Sequence, residues 1–192
     1  MGLHRVLRSA RGSPRARGGV AHTDPDLVAG SDVCGRRLAT VKRVLLTGMS
    51  GTGKSSVIRA LAARGYKAVD SGDGWCEPVP DGRQRWREDA IEQLLAVEDA
   101  EVLFVAGCEE NQVRFRPRFD VIIALSAPAE ILAGRLASRT GNPQGKTPGE
   151  LRRVFDDRRA VEPFLRKAAD DEIRTTMPLG DVVTAVLRLI GA

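Results

Sequence analysis

Gly48-Met49-Ser50-Gly51-Thr52-Gly53-Lys54-Ser55 reads G-x-x-x-x-G-K-S, directly after the apolar run Val44-Leu45-Leu46-Thr47. Gly48, Gly51 and Gly53 allow positive φ angles, so that several backbone N–H groups turn inward and form a concave nest for an anion. A polyphosphate fits such a nest. Lys54 would place a point charge on its β and γ phosphates and the Ser55 hydroxyl would ligate Mg²⁺, both at the positive end of the following helix dipole. The chemistry expected here is the binding of a nucleoside triphosphate.

A second group of polar residues follows the weak strand Tyr66-Lys67-Ala68-Val69. Asp70-Ser71-Gly72-Asp73 puts two carboxylates at the C-terminal end of that strand, the end that faces the ligand crevice in a doubly wound sheet. Arg135 and Arg139 are four residues apart, on one face of a predicted helix, where both guanidinium groups can meet one anion. The strand Val102-Leu103-Phe104-Val105-Ala106 runs into Gly107-Cys108-Glu109-Glu110-Asn111, with no Asp at its end. The usual Walker B carboxylate is therefore missing, which speaks against motor-type ATPases. The chain also lacks an N-K-x-D guanine motif.

The elements that must position these groups follow from hydrophobic period and punctuation. Lys54 to Arg64 reads as a helix with Ile58, Leu61 and Ala62 inward and Gly65 as its stop. Arg83 to Glu98 reads as a helix with Trp86, Ala90, Ile91, Leu94 and Leu95 as its apolar stripe, while Trp75, in a Gly/Pro-rich loop, is the tryptophan placed to touch a substrate. Phe119 to Leu125 reads as a buried strand, and Pro128 with Glu130 starts a helix carrying Ile131, Leu132 and Leu136 inward. Thr140 to Lys146 is a turn-rich loop. Thr147-Pro148-Gly149-Glu150 is a capping box opening a helix that runs toward Pro163, with Arg152, Arg153, Arg158 and Arg159 on a solvated face. Asp171 to Thr175 is a last strand, and Pro178 to Ile190 is an amphipathic closing helix. Asp73, Arg83, Asn111, Arg114 and Arg116 are the polar candidates for a pocket that receives the phosphate acceptor.

Composition bounds the remaining choices. The chain has 192 residues, 42% of them hydrophobic, enough for one α/β domain with a sizeable core. No stretch reaches the roughly 18 apolar residues of a membrane span, and no secretory signal is present, so a cytoplasmic protein is expected. Three unclustered cysteines, Cys34, Cys76 and Cys108, give neither a disulfide framework nor a zinc site. Residues 1–42 hold 8 Lys/Arg against 3 Asp/Glu, while 43–192 hold 22 of each, so the whole net charge of +5 lies in the tail. That tail is expected to be a disordered basic extension, because it cannot bury enough apolar surface to offset its ordering entropy. It would be an arm for RNA or a membrane, a transit peptide, or translated sequence upstream of the true start, and we favour the last. The domain is expected over 43–192, and a nucleic-acid partner rests on the basic tail alone.

From 43 to 192 the chain resembles the P-loop small-molecule and nucleoside kinases, the group that holds shikimate kinase, gluconate kinase and adenylate kinase, and an AAA-type ATPase label is compatible with it. The resemblance is carried by GMSGTGKSS, by the Asp70…Asp73 pair, and by the Arg135…Arg139 helix leading into a short Gly/Pro loop similar to the family's lid. It implies a three-layer α/β P-loop NTPase fold with a five-stranded parallel sheet and a short lid. For the site it implies that Gly48, Met49, Ser50, Gly51, Thr52, Gly53, Lys54, Ser55, Ser56 and Arg139 bind ATP. Lys54, Arg135 and Arg139 would stabilise the transferring phosphoryl group. Ser55 and Asp70 would hold Mg²⁺, and Asp73 would orient the acceptor, the latter two roles being interchangeable between Asp70 and Asp73. Asp171 to Pro178 resembles the segment framing adenine. Shikimate kinases carry Gly-Gly-Gly where this chain has Gly107-Cys108-Glu109, so the acceptor is a small hydroxyl- or phosphate-bearing metabolite, nucleoside or nucleotide left open. The competing reading is a regulatory nucleotide-binding ATPase without an acceptor, and either would act as a monomer or homodimer.

Overall fold

Val44, Leu45 and Leu46 are apolar without alternation, the pattern of a strand covered on both faces, and they form the middle of β1 (Lys42–Thr47). The computed structural model describes residues 40–80, 82–138 and 148–192, with nothing said of the side chains of 148 and 150. β1 is the centre of a five-stranded parallel sheet with β2 (Lys67–Asp70), β5 (Val102–Ala106), β6 (Val121–Ser126) and β7 (Asp171–Arg174), in the order β2-β5-β1-β6-β7. Register aligns Leu46 with Ala106 and Ala106 with Asp70, so the loops after β1, β5 and β2 all leave one edge of the sheet.

Successive side chains of β1 serve opposite faces. Val44 and Leu46 join Val57, Ile58 and Leu61 of α1 (Lys54–Ala62) and Val182, Val183, Val186 and Ile190 of α5 (Leu179–Ile190) in one core. Val41 and Leu45 join Trp86, Ile91, Leu94 and Leu95 in the other. Helices on both faces of a parallel sheet make the three-layer architecture that the resemblance implies. The folded part also takes in Val41, 4% exposed, and Lys42, whose ammonium donates to Ile190 O at 2.7 Å.

The structure differs from the sequence reading in four places. The stretch expected to start a helix at Arg83 instead forms β4 (Gln84–Trp86), paired antiparallel with β3 (Cys76–Pro78), and the helix α2 begins at Glu88 and ends at Leu95. The hairpin is closed by Val79 N to Arg83 O at 3.0 Å and by Gly82, whose φ of 80° is a turn conformation that glycine adopts without steric cost. Trp86 keeps its core role, but from a strand. Helix α4 (Pro148–Ala168) starts where the capping box predicts and continues through Pro163. Finally, Val57 rather than Ala62 completes the buried face of α1, and Ile131 of α3 (Ala129–Ser138) is 41% exposed while Leu132 and Leu136 are buried.

The crossover from β5 to β6 is made by two 3₁₀ turns, Glu110–Arg114 and Arg116–Arg118, in place of a full helix. Among the described residues, no helix is long and apolar enough to cross a membrane.

Candidate functional site

The loop from Gly48 to Gly53 connects β1 to α1 at the C-terminal edge of the sheet, and its backbone takes the shape its glycines allow. Gly48, Gly51 and Gly53 have φ of 147°, 86° and 97°. At Gly48 the reason is also one of space, since a β-carbon there would stand 2.3 Å from Leu125 O of β6. Leu132 and Leu136 of α3 lie behind Gly51, each 3.4 Å from where its β-carbon would be. The loop is thus held between two strands and a helix. Thr52, 2% exposed, ties it internally by donating from Oγ1 to Met49 O at 2.8 Å.

Lys54 opens α1, and its Nζ donates to Gly48 O at 2.5 Å and to Met49 O at 3.3 Å, so the ammonium spans the loop. Ser55 is exposed and Ser56 half-buried on the first turn of the helix. The first turn of α1 carries no acidic residue, which leaves the positive end of its dipole to an external anion. A polyphosphate therefore fits this cradle in backbone shape and in charge.

Arg135 is also brought to the loop. Its guanidinium donates to Gly51 O at 3.3 Å, to Thr175 Oγ1 at 2.9 Å and to Thr175 O, fastening α3 to the loop on one side and to the end of β7 on the other. Thr175 is itself buried and donates to Ser126 O at 3.2 Å. The pairing of Arg135 with Arg139, and the lid loop 140–146, fall outside the described residues.

Asp70 is the last residue of β2 and Asp73 follows it, and β2 is separated from β1 by β5. Asp70 is half-buried and accepts from Gly72 N at 3.1 Å; the Asp73 side chain is exposed, and its N–H donates to Asp70 O at 3.0 Å. The structure places them at the same sheet edge as the loop but on its far side. Among the described residues, no three His, Cys, Asp or Glu side chains gather into a metal-binding group. Mg²⁺ does not require one, since it is ordinarily held by one or two protein oxygens together with substrate phosphates.

Sequence reasoning missed two residues at this edge. Glu109, just beyond β5, accepts at Oε2 from Cys108 N at 2.8 Å and from Ser71 Oγ at 3.3 Å, with Ser71 buried. Gln112, 8% exposed, meets Thr47 Oγ1 through its Oε1 at 3.2 Å, at the root of the phosphate loop. A signal existed only in part, because Thr47 and Gln112 are 65 positions apart. Beside Glu109, Cys76 Sγ donates to Ser71 O at 3.2 Å. Burial, and then the neighbouring Glu109 carboxylate, push the Cys76 thiol up to about 12.

Several pocket candidates have partners within the chain. Asn111 brackets β4, accepting from Trp86 N and donating to Trp86 O, both at 2.9 Å. Arg114 pairs with Glu88 at 2.6 Å, Arg83 with Glu110 at 2.8 Å, and Arg116 donates to Ala168 O. Trp75 is half-buried and packs against the second core. Arg158, expected on a solvated face, is half-buried, paired with Glu162 and donating to Ala127 O at 3.1 Å. A hollow of ≈ 810 Å³ runs along α4 past Ala129, Phe155 and Arg158, and no residue of the phosphate loop lines it.

The comparisons agree with this geometry. A family model described as "AAA domain" matches residues 44–160. No curated protein matches the chain. Solved structures similar to it include a shikimate kinase from Acinetobacter baumannii in complex with shikimate, at 20% identity and a TM-score of 0.59 over 80% of this chain and 94% of that one. A shikimate kinase from Bacteroides thetaiotaomicron is similar at 17% identity and 0.56, over 79% and 99%. A gluconokinase from Sinorhizobium meliloti is similar at 22% identity and 0.54, over 81% and 94%. At these identities the likeness is one of fold, the P-loop kinase fold.

Proposed function

The chain belongs to the AAA domain family, and from that premise we propose that it is an ATP- and Mg²⁺-dependent phosphotransferase acting on a small metabolite. The observation that carries the reading is the loop itself: three glycines with φ of 147°, 86° and 97° between β1 and the positive end of α1, spanned by the Lys54 ammonium. The names of the similar structures, kinases of shikimate and gluconate, support a small hydroxyl compound as acceptor.

Phosphoryl transfer asks the protein mainly for positioning and charge stabilisation. The backbone N–H groups of Gly48 to Ser56 receive the phosphates, and Lys54 neutralises charge that builds on the γ-phosphoryl oxygens. Ser55 and Asp70 would hold Mg²⁺, which when bound would supply further positive charge to the phosphates. Arg135 fixes the loop against β7, and Arg139 is assigned to the phosphates. Asp73 borders the opening through which the acceptor enters. The end of β7, at Thr175, frames the base.

Fluorescent ATP analogue titration tests the binding step directly. The wild-type chain should bind in the presence of Mg²⁺, and Lys54→Ala should bind weakly while melting at an unchanged temperature. A wild-type chain that does not bind ATP would overturn the reading.

A further inference from the structure

Glu109 is the carboxylate at the ligand edge to which no role has yet been given, and its setting differs from that of both aspartates. It follows β5, the strand beside β1, whereas Asp73 follows β2. With neighbouring strands about 4.8 Å apart, Glu109 leaves the sheet roughly one strand width nearer the phosphate loop. The ladder continues past the strand ends, through Gly107 N to Leu46 O at 3.1 Å and Ser71 N to Ala106 O at 2.8 Å, so this spacing persists where the loops begin.

The carboxylate is also held. Oε2 accepts from Cys108 N at 2.8 Å and from the hydroxyl of Ser71, a residue 1% exposed, at 3.3 Å. Ser71 follows β2, so its bond holds Glu109 on the β2–β5 side of the ligand edge. Beneath it, the Trp86 indole lies directly on Gly107, and Cys76 closes the side by its bond to Ser71 O at 3.2 Å. A carboxylate on so rigid a floor is oriented before substrate arrives. Glu110, its neighbour, faces elsewhere, exposed and paired with Arg83 at 2.8 Å. Asp73 is exposed, and among the described residues its carboxylate has no comparable anchoring by a buried group.

Resting on the kinase reading, we propose that Glu109 is the catalytic carboxylate that takes the proton of the attacking hydroxyl, a role distinct from the orienting of the acceptor expected of Asp73. In the step, the acceptor oxygen forms a bond to the γ-phosphorus and the bond from that phosphorus to the β–γ bridging oxygen breaks. ADP leaves with the electron pair. The hydroxyl proton passes to Oε1 of Glu109 and from there to solvent, giving a phosphate monoester, or inorganic phosphate when water is the acceptor.

Water as acceptor makes the proposal testable before any metabolite is known. Mg·ATP hydrolysis by the full chain should fall at least tenfold in Glu109→Gln, while the Kd for Mg·ATP stays within twofold and Glu110→Gln turns over like the wild type. Glu109→Ala should lose hydrolysis similarly and recover part of it when formate is added, an effect that a purely structural role would not produce. The proposal is overturned if Glu109→Gln keeps hydrolysis within twofold, if formate restores nothing, or if the wild type binds Mg·ATP but does not turn over water. A wild type that fails to bind Mg·ATP overturns the kinase reading itself, and this proposal with it.

Discussion

The indole of Trp86 lies so close to Gly107 that a β-carbon on residue 107 would stand 2.5 Å from Cζ2 and 2.8 Å from Nε1. The same β-carbon would be 2.7 Å from Ser71 Oγ. This contact explains why the strand beside the phosphate loop ends without an aspartate: the space a side chain would need is filled by a fully buried tryptophan from β4. Trp86 Nε1 is buried there without a hydrogen-bond partner among the described residues. The contact therefore stands on shape alone.

Gly107→Ala should for that reason destabilise the domain by about 1–3 kcal/mol, the usual cost of forcing an extra methyl into a packed core. Urea denaturation monitored by tryptophan fluorescence measures it. An unchanged midpoint would mean that the indole yields freely, and the steric account of the missing aspartate would fall.

Arg135 and Arg139, equivalent by their spacing, should separate on mutation. Arg135 joins Gly51 O to Thr175, so Arg135→Ala should cost about 1–3 kcal/mol of stability through the lost charged hydrogen bonds and the carbonyls left unpaired. Arg139→Lys should leave stability unchanged and lower kcat tenfold or more, about 1.4 kcal/mol of transition-state stabilisation, because an ammonium lacks the planar two-pronged donor. Melting curves and steady-state kinetics on the two variants decide it. A stable Arg135→Ala chain, or an unchanged kcat for Arg139→Lys, contradicts the division.

Much of this arrangement is legible in the sequence because its signals are local. The glycine loop is bounded by an apolar run on one side and an amphipathic helix on the other, and β1 and α1 form around it. Pro148 and Gly65 punctuate helices where their backbone preferences dictate. The β4 stretch reads as helix because Trp86, Ala90 and Leu94 sit four apart and complete a helical stripe, although Val79-Pro80-Asp81-Gly82-Arg83 is a turn sequence with its own mechanism. Here the turn chemistry overrides the period. Glu109 could not be found locally at all, since the hydroxyl that holds it comes from Ser71, 38 positions away. Nor could the use of Asn111 as a bracket on β4 be seen before β4 was known to exist.

Cys76 gives a prediction in pH. Its thiol is raised from 9.0 to about 12, first by burial and then by Glu109, so the folded chain retains a proton that the unfolded chain releases. The sign follows: this contribution to stability is fully present below pH 9.0 and is lost as pH rises through that value toward about 12. Alkylation of Cys76 by iodoacetamide at pH 8.5, followed by peptide mass, should run at least tenfold slower in the folded chain than in urea, as expected when about one tenth or less of the thiolate remains. In Glu109→Gln the rate should rise, because one of the two named causes is removed. Equal rates in folded wild type and urea would refute the burial, and an unchanged rate in the variant would refute the influence of Glu109.

The claim on which the account turns is transfer of the γ-phosphoryl group to a small acceptor. It is tested most directly by ADP release from Mg·ATP in the presence of a panel of hydroxyl- and phosphate-bearing metabolites, with Lys54→Ala run alongside. The account predicts that at least one metabolite raises ADP release well above the rate with water, that its phosphorylated form appears in equal amount, and that both vanish in Lys54→Ala while the variant stays folded. ADP release that no metabolite accelerates, or that survives in Lys54→Ala at the wild-type rate, would contradict it.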